Sequence, residues 1–277
     1  MAEVKDVIDG YPLSRDFVDF NRLNLQHYLW KEIFGYALHP KISRDRKSLR
    51  IADVGTGTGI WLRDLASQLD ASAELLGLDT DITQTGPSEW LPGNMSLREW
   101  SVLTDVPDDL VAKFDIVHLR LFCWVIEDDP EPVLENLIKL LKPGGYLQWS
   151  DVDVQSMQIV TSSPDVPTDK LVALWNETVP KDTRLCPGWA RDLARLFEKH
   201  GLQGVEADWQ IGKHDTRLAM HWCNLHAHEM VAARLREVNP QKASEIDTLV
   251  QAAAAESRKG AMYSFSRVNA IGRKPEA

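Results

Sequence analysis

Three cysteines, Cys123, Cys186 and Cys223, are all the sulfur nucleophiles this chain has. The count is odd and no two stand as C-x-x-C, which argues against a disulfide framework and against a zinc-thiolate site. Such usage suits a reducing compartment, so the cytoplasm is the expected location. Long apolar runs are also missing. Nothing approaches the ~18 consecutive apolar residues of a membrane-crossing helix, so no membrane partner is expected. The opening stretch 1–10 lacks the apolar centre of a secretory signal. Basic clusters are absent as well. Lys and Arg number 31 against 41 Asp and Glu, for a net charge of −10. Non-specific nucleic-acid binding runs on Lys and Arg clusters, so a polyanionic partner is not expected. No internal repeat or low-complexity tract is found; the alanines at 252–255 are a short helix-favouring run.

What is present is an alternation of strand-like and helix-like segments from about residue 48 onward. It points to βαβ units around a parallel sheet. Strands are predicted at Leu49–Val54, Glu74–Asp79, Ser96–Val102, Phe114–Leu119, Tyr146–Val152, Val205–Ile211 and Met262–Gly272. The clearest helix runs from Pro130 to Leu141, with Val133, Leu137, Leu140 and Leu141 at helical spacing and Pro143-Gly144-Gly145 as its stop. Before the first strand, Ser14 to Leu38 reads as helix. Phe20, Leu23, Trp30 and Phe34, with His27 in the gap, make one apolar stripe, which Leu25, Leu29 and Ile33 widen. Such a face is expected to bury itself against the main domain. Residues 1–45 are therefore expected to form an N-terminal helical cap. Residues 46–277 are expected to form a ligand-binding domain, with a helical insert at 214–258 before the last strand.

The most informative residues follow the first strand: Asp53-Val54-Gly55-Thr56-Gly57-Thr58-Gly59, then the helical pattern Ile60, Trp61, Leu62, Leu65. Glycines there permit a tight turn and remove the Cβ atoms that would keep a ligand off the backbone. A dinucleotide fingerprint needs G-x-G-x-x-G. Here the third glycine comes one residue early, and D-x-G-x-G-x-G is the pattern of S-adenosylmethionine (SAM)-binding methyltransferases. Asp79, ending the second strand, stands where an acid accepts hydrogen bonds from both ribose hydroxyls. That supports an adenosine-containing cofactor without choosing SAM over NAD; a turn or capping carboxylate is the alternative. Thr80 follows at the adenine edge. Asp105 is placed equally well to meet an adenine amino group or to cap a helix starting at Pro107.

In order along the chain, Asp53–Gly59, Leu76–Asp79, Phe114–Arg120 and Leu141–Leu147 resemble the motifs of class I SAM-dependent methyltransferases over roughly residues 48–155. The resemblance implies a Rossmann-like α/β fold: a seven-stranded sheet of order 3-2-1-4-5-7-6 with its last strand antiparallel. A narrower resemblance, carried by Arg22–Trp30, His118-Leu119-Arg120 and Lys142–Trp149, is to fungal secondary-metabolism methyltransferases. Some of those N-methylate cyclic dipeptides of the gliotoxin type. Together these imply SAM contacts at Tyr28, Asp53, Gly55, Thr56, Gly57, Gly59, Asp79, Thr80, Asp105, Val106, Leu119 and Arg120. Arg120 is a candidate to meet the methionine carboxylate, with a buried ion pair as the alternative. The sequence departs at Thr80-Asp81, where many relatives place an apolar residue against adenine.

SAM carries its own activation, so the protein mainly holds a nucleophile in line with the methyl carbon. A base is needed only for a protonated acceptor. His118, ending the fourth strand, is the first candidate and Asp151, after the fifth, the second; Asp153 lies nearby. Asn224 and His228 share a helical face with His221. No pair of histidines has the i, i+4 spacing of a helical zinc site, so no metal is expected. For each histidine a hydrogen-bonded structural place competes with a functional one. Among ten tryptophans, Trp149 and Trp222, with His221, are candidates to line a flat acceptor pocket. The expected partner is a small molecule, methylated at N or O. Two other readings stay open: a SAM-binding regulator or rearrangement catalyst that does not methylate, and a nicotinamide oxidoreductase, against which the loop spacing argues.

Overall fold

A computed structural model of the chain describes residues 13, 16–126, 128–179 and 186–276. Residues 1–12 and 14–15 of the expected cap lie outside the described residues. Seven strands form one sheet: β1 (Arg50–Val54), β2 (Glu74–Asp79), β3 (Met95–Glu99), β4 (Phe114–Arg120), β5 (Leu141–Thr161), β6 (Gln203–Gln210) and β7 (Ala261–Arg273). Their order is 3-2-1-4-5-7-6, and β7 runs antiparallel to both neighbours. This is the expected Rossmann-like topology. The helices are α1 (Phe17–Phe34), α2 (Ile60–Ala66), α3 (Glu131–Leu140), α4 (Asp169–Thr178), α5 (Leu193–Lys199), α6 (His214–Leu235) and α7 (Pro240–Ser257). The last two occupy the interval between β6 and β7.

Central parallel strands are covered on both faces, so apolar residues dominate them, with Asp53, His118 and Arg120 falling at the carboxyl ends of β1 and β4. Alternate residues of β1 and β4 serve opposite layers. Ile51 and Ile116 meet Trp61, Leu62 and Leu65 of α2 on one face. Ala52 and Val117 meet Val133, Leu137 and Leu140 of α3, with Phe197 of α5, on the other. The i, i+4, i+7 spacing on α3 makes this possible, and Pro132 is accommodated in the helix's first turn, where a backbone N–H has no partner to lose. A third cluster joins α4, α6 and α7 to Tyr263 and Phe265 of β7.

The structure departs from expectation in three places. The fifth strand is far longer than Tyr146–Val152. After an irregularity between Asp153 and Gln158 it pairs again with the start of β7, Ile159 opposite Tyr263. That arm is created by a distant partner, which local sequence does not announce. The third strand ends at Glu99, and the chain at Trp100–Leu103 turns over the sheet's carboxyl edge instead of extending it. Most informative is α1. Its buried positions are Asp19, Arg22, Gln26, His27 and Trp30, while Phe17, Leu25 and Tyr28 are exposed. The apolar stripe is only partly covered, because this helix turns a polar face toward a cavity.

α4 lacks a side-chain N-cap of its own. The buried Glu256 of α7 supplies one. Its carboxylate accepts hydrogen bonds from the Lys170 and Leu171 N–H groups at 3.0 Å. A carboxylate on free helix N–H groups satisfies both hydrogen bonding and the helix dipole. Glu256→Ala is expected to lower unfolding free energy by about 2–3 kcal/mol, read as a fall in urea midpoint with unchanged slope. An unchanged midpoint would show that water caps α4 equally well.

Candidate active site

Where β1 ends, Gly55, Gly57 and Gly59 have φ of 67°, 53° and 72°. Side chains rarely adopt this left-handed backbone, which explains glycine at these positions. Gly55 is also sterically required: a Cβ there would lie 2.3 Å from the Phe122 ring. Side chains and neighbours hold the loop. Thr56 Oγ1 donates to Asp53 (2.8 Å), Thr58 Oγ1 donates to Asn24 of α1 (2.7 Å), and Gly57 N–H donates to Asp79 (2.8 Å).

The loop forms one end of a cavity of about 650 Å³, within the range of small-molecule sites. Asp53, Gly55, Thr56, Gly57, Asp79, Thr80, His118 and Arg120 all line it. Arg22, Leu23, Gln26 and Trp30 of α1 form its cover, and Trp100–Leu103 an adjoining wall. Its other end is a chamber walled by Trp124, Trp175, Tyr263 and Phe265, with Asn224, His228 and Arg267 among them.

Two buried imidazoles fix the polar end. His118 lies across from Asp53 in the sheet register. Its Nδ1–H donates to Asp53 at 2.7 Å, and its ring stacks on Trp61 at 3.9 Å and 1°. Burial lowers its pKa, so the ring is neutral; its Nε2 is enclosed and lacks a hydrogen-bond partner. His27 is held neutral, its pKa lowered to about 4 by burial and by Arg120. Its Nε2–H donates to Asp64 (3.1 Å), which leaves Nδ1 to accept from Arg120 (3.3 Å). Arg120 is thus oriented by a neutral acceptor. Among the described residues no carboxylate lies within ion-pairing distance of it, and burial lowers its pKa to about 10. Such a cation suits a carboxylate from a ligand.

Other expected site residues lie elsewhere. Leu119 alternates away from His118 and Arg120 into the core. Trp149 is likewise in the core, edge-on to Trp189 at 5.3 Å. Asp151 is enclosed, and its carboxylate accepts from Phe122 N–H, Val152 N–H and Trp149 Nε1–H. These bonds make it part of the framework. His221 uses both ring nitrogens, accepting from Tyr263 N–H and donating to Ser257. Trp222 sits part-exposed on α6 outside the cavity wall, and Tyr28 is 53% exposed on the outer face of α1. Gly59 begins α2 behind the loop, where a Cβ would meet Met95. Asp105 and Val106 do not line the cavity, and Asp105 caps no helix, since the following turn starts from Pro107. Reading the sequence missed Arg22, Leu23, Trp30 and Arg267 as cavity residues. Spacing from Asp19 to Trp30 carried the signal for α1, as a polar face at helical period.

Residues 25–207 match the family model described as a methyltransferase domain. The chain belongs to the methyltransferase family. It is a SAM-dependent methyltransferase, and SAM is its cofactor. It is 32% identical over 231 residues to the N-methyltransferase tcpN of Claviceps purpurea, covering 79% of this chain and 82% of that protein. It is 29% identical over 208 residues to the N-methyltransferase gliN of Aspergillus fumigatus, covering 74% and 72%. In fold it is similar to a solved Haemonchus contortus phosphoethanolamine N-methyltransferase 2 bound to phosphomonomethylethanolamine and S-adenosylhomocysteine. That match has a TM-score of 0.55 at 14% identity, over 98% of this chain and 62% of the other. Family membership removes the nicotinamide reading. The residues around the loop fit SAM: a glycine cradle that a Cβ would fill, a carboxylate at Asp79 and an Arg120 cation that has no direct ion pair among the described residues. Among the described residues no group of His, Cys, Asp and Glu is placed to hold a metal ion, and no helix is long and apolar enough to cross a membrane.

His27, His118, His221 and His228 are all held neutral, chiefly by burial. In the unfolded chain each protonates near pH 6.5. Asp151 opposes them, because burial raises its pKa to about 6 and the folded state takes that proton first. Lowered histidine pKa values give stability that is full above pH 6.5 and is lost as pH falls toward 4. With His27, His221 and His228, lowered to about 4, 3 and 4, set against one proton at Asp151, the unfolded state binds roughly two more protons near pH 5. Stability is then expected to fall by roughly 3 kcal/mol per pH unit there. Urea unfolding at a series of pH values measures this slope. A flat profile between pH 7 and 5 would contradict it.

Proposed function

We propose that this chain methylates a nitrogen or oxygen of a small molecule of secondary metabolism. The observation that carries the proposal is the single cavity running from the glycine loop into an aromatic chamber. A chamber of that size under a helical cover suits a small planar acceptor, and the net charge of −10 disfavours a polyanion. The relatives tcpN and gliN, which are named as N-methyltransferases, support nitrogen as the atom methylated. The free cysteines support the cytoplasm as the place of action.

When bound, SAM supplies a methyl group on a sulfonium leaving group. The chain's own part is to orient and enclose. On this reading Asp79 accepts from the ribose hydroxyls and the loop at Asp53–Gly57 receives the methionine portion. Arg120, aligned by neutral His27, pairs with its carboxylate. His118 holds Asp53, and its other ring nitrogen is enclosed. Residues 1–45, through α1, act as a cap, with Gln26 and Arg22 facing the ligand.

The test is transfer of label. Protein incubated with methyl-labelled SAM and extracts of fungal metabolites is expected to yield a labelled small molecule heavier by one methylene, with no label on protein or nucleic acid. Binding without any transfer would instead favour a non-methylating SAM protein. Arg120→Leu is expected to weaken SAM binding by about 1.5–3 kcal/mol, while affinity for decarboxylated SAM stays within about twofold. Equal losses for both ligands, by calorimetry, would place the carboxylate away from Arg120.

A further inference from the structure

The chamber end of the cavity holds a titratable group with no assigned task. His228 of α6 lines the chamber and is 7% exposed. Its ring is fixed on one side. The Thr178 hydroxyl bonds both to the Leu174 carbonyl (2.8 Å) and to His228 Nδ1 (3.0 Å). A carbonyl can only accept, so the one hydroxyl proton goes to Leu174. Thr178 Oγ1 must then accept at its other contact, and His228 Nδ1 carries the N–H. In a neutral imidazole the lone pair is therefore on Nε2. Burial keeps the ring neutral, lowering its pKa to about 4.

Other candidate bases are occupied or out of reach; the buried Asp19 carboxylate in the cavity wall is paired with Arg22 at 2.7 Å. Among the described residues, His118 is the other histidine in the cavity wall, and its Nε2 is fully enclosed. Both nitrogens of His221 are used, and the Asp151 carboxylate accepts from three N–H groups outside the wall. Among the described residues His228 Nε2 has no such partner, and it is not fully enclosed, which leaves it facing the chamber.

Its surroundings add chemistry. Asn224, one turn earlier on α6, has a buried amide nitrogen without a hydrogen-bond partner. Arg267 is 4% exposed, has no carboxylate within ion-pairing distance among the described residues, and gives one N–H to the Phe265 carbonyl at 3.0 Å. A buried cation in the wall favours an acceptor that develops negative charge.

We infer that His228 is the general base of this methyltransferase, taking through Nε2 the proton of a weakly acidic O–H or N–H on an aromatic or heteroaromatic acceptor. This rests on the small-molecule reading above. The acceptor atom bonds to the methyl carbon as the carbon–sulfur bond breaks with its electron pair going to sulfur. The acceptor's proton passes to Nε2, and the imidazolium releases it to water when the product leaves. Thr178 is the positioning residue, since it sets the tautomer.

Nitrogen-15 NMR of the ligand-free protein with labelled histidine reads the tautomer without turnover. His228 is expected to show a protonated Nδ1 and an unprotonated Nε2 at pH 7, assigned by loss of its signals in His228→Asn. A proton on Nε2 overturns the inference. His228→Asn, which keeps a donor toward Thr178, is expected to lower kcat about 100-fold or more at saturating acceptor, with SAM dissociation constant within about twofold of the parent. Thr178→Val should move the tautomer toward Nε2–H and lower kcat in step. A labelled small molecule formed equally well by His228→Asn sinks this inference alone. Label reaching no small molecule sinks both it and the reading it rests on.

Discussion

One carbonyl holds the backbone as it leaves β1. The Leu78 oxygen accepts from Gly55 N–H at 2.8 Å and from Thr56 N–H at 3.1 Å. Asp79, the next residue, accepts from Gly57 N–H. The turn is therefore fastened to the end of β2, and its left-handed glycines follow from that fastening. Once the turn is in place, Phe122 fills the space a Cβ at Gly55 would need, and α2 starts where Trp61 can stack on His118. Asp53 then has two fixed donors, Thr56 and His118. Cofactor loop, strand ends and histidine stack form one hydrogen-bonded unit.

The same unit marks how far sequence could be read. D-x-G-x-G-x-G and the acid at Asp79 were legible because backbone geometry permits few residues there. The sheet order came from the family resemblance and was correct. Within β4, period-two alternation was enough to separate His118 and Arg120, which face the cavity, from Leu119, which does not; the family motif blurred that distinction by taking the three together. Trp149 and Asp151 failed for a different reason. Strand position told which edge of the sheet they occupy, but not that Phe122 and Val152 N–H groups, meeting at that edge, would use up the carboxylate. On α1 the apolar period dominated the reading, yet a helix covering a cavity buries polar side chains. Gln26 stood out as a polar group at the stripe's edge, but Arg22 was hidden behind a pattern that assumes a dry core.

Buried imidazoles are the common device of the interior. His27, His118, His221 and His228 are each bonded at one or both nitrogens, and each bond fixes a tautomer. A neutral imidazole can present a donor on one side and an acceptor on the other. His27 uses this to join Asp64 to Arg120, so that Asp64 orients the guanidinium without touching or neutralising it. His221 uses it to tie α7 to β7 through Ser257 and the Tyr263 backbone. A carboxylate in either place would carry a charge that burial penalises.

That penalty bears on the chemistry of the chamber. Methyl transfer turns a sulfonium into a neutral thioether, so the positive charge must leave by another route, and with a protonated acceptor it leaves as the proton. The group that receives it has to lie in an apolar chamber and remain uncharged until then. Asp151 shows what this interior does to a carboxyl group: three N–H donors stabilise its charge, and burial still raises its pKa to about 6. A carboxylate facing the chamber with fewer donors would be raised further and would arrive protonated, unable to act as a base. An imidazole shifts the other way. Burial favours its neutral form, which is the form that accepts a proton, and a sulfonium nearby reinforces that preference. Loss of the sulfonium charge during transfer then raises the imidazole's basicity at the moment the acceptor's proton is released.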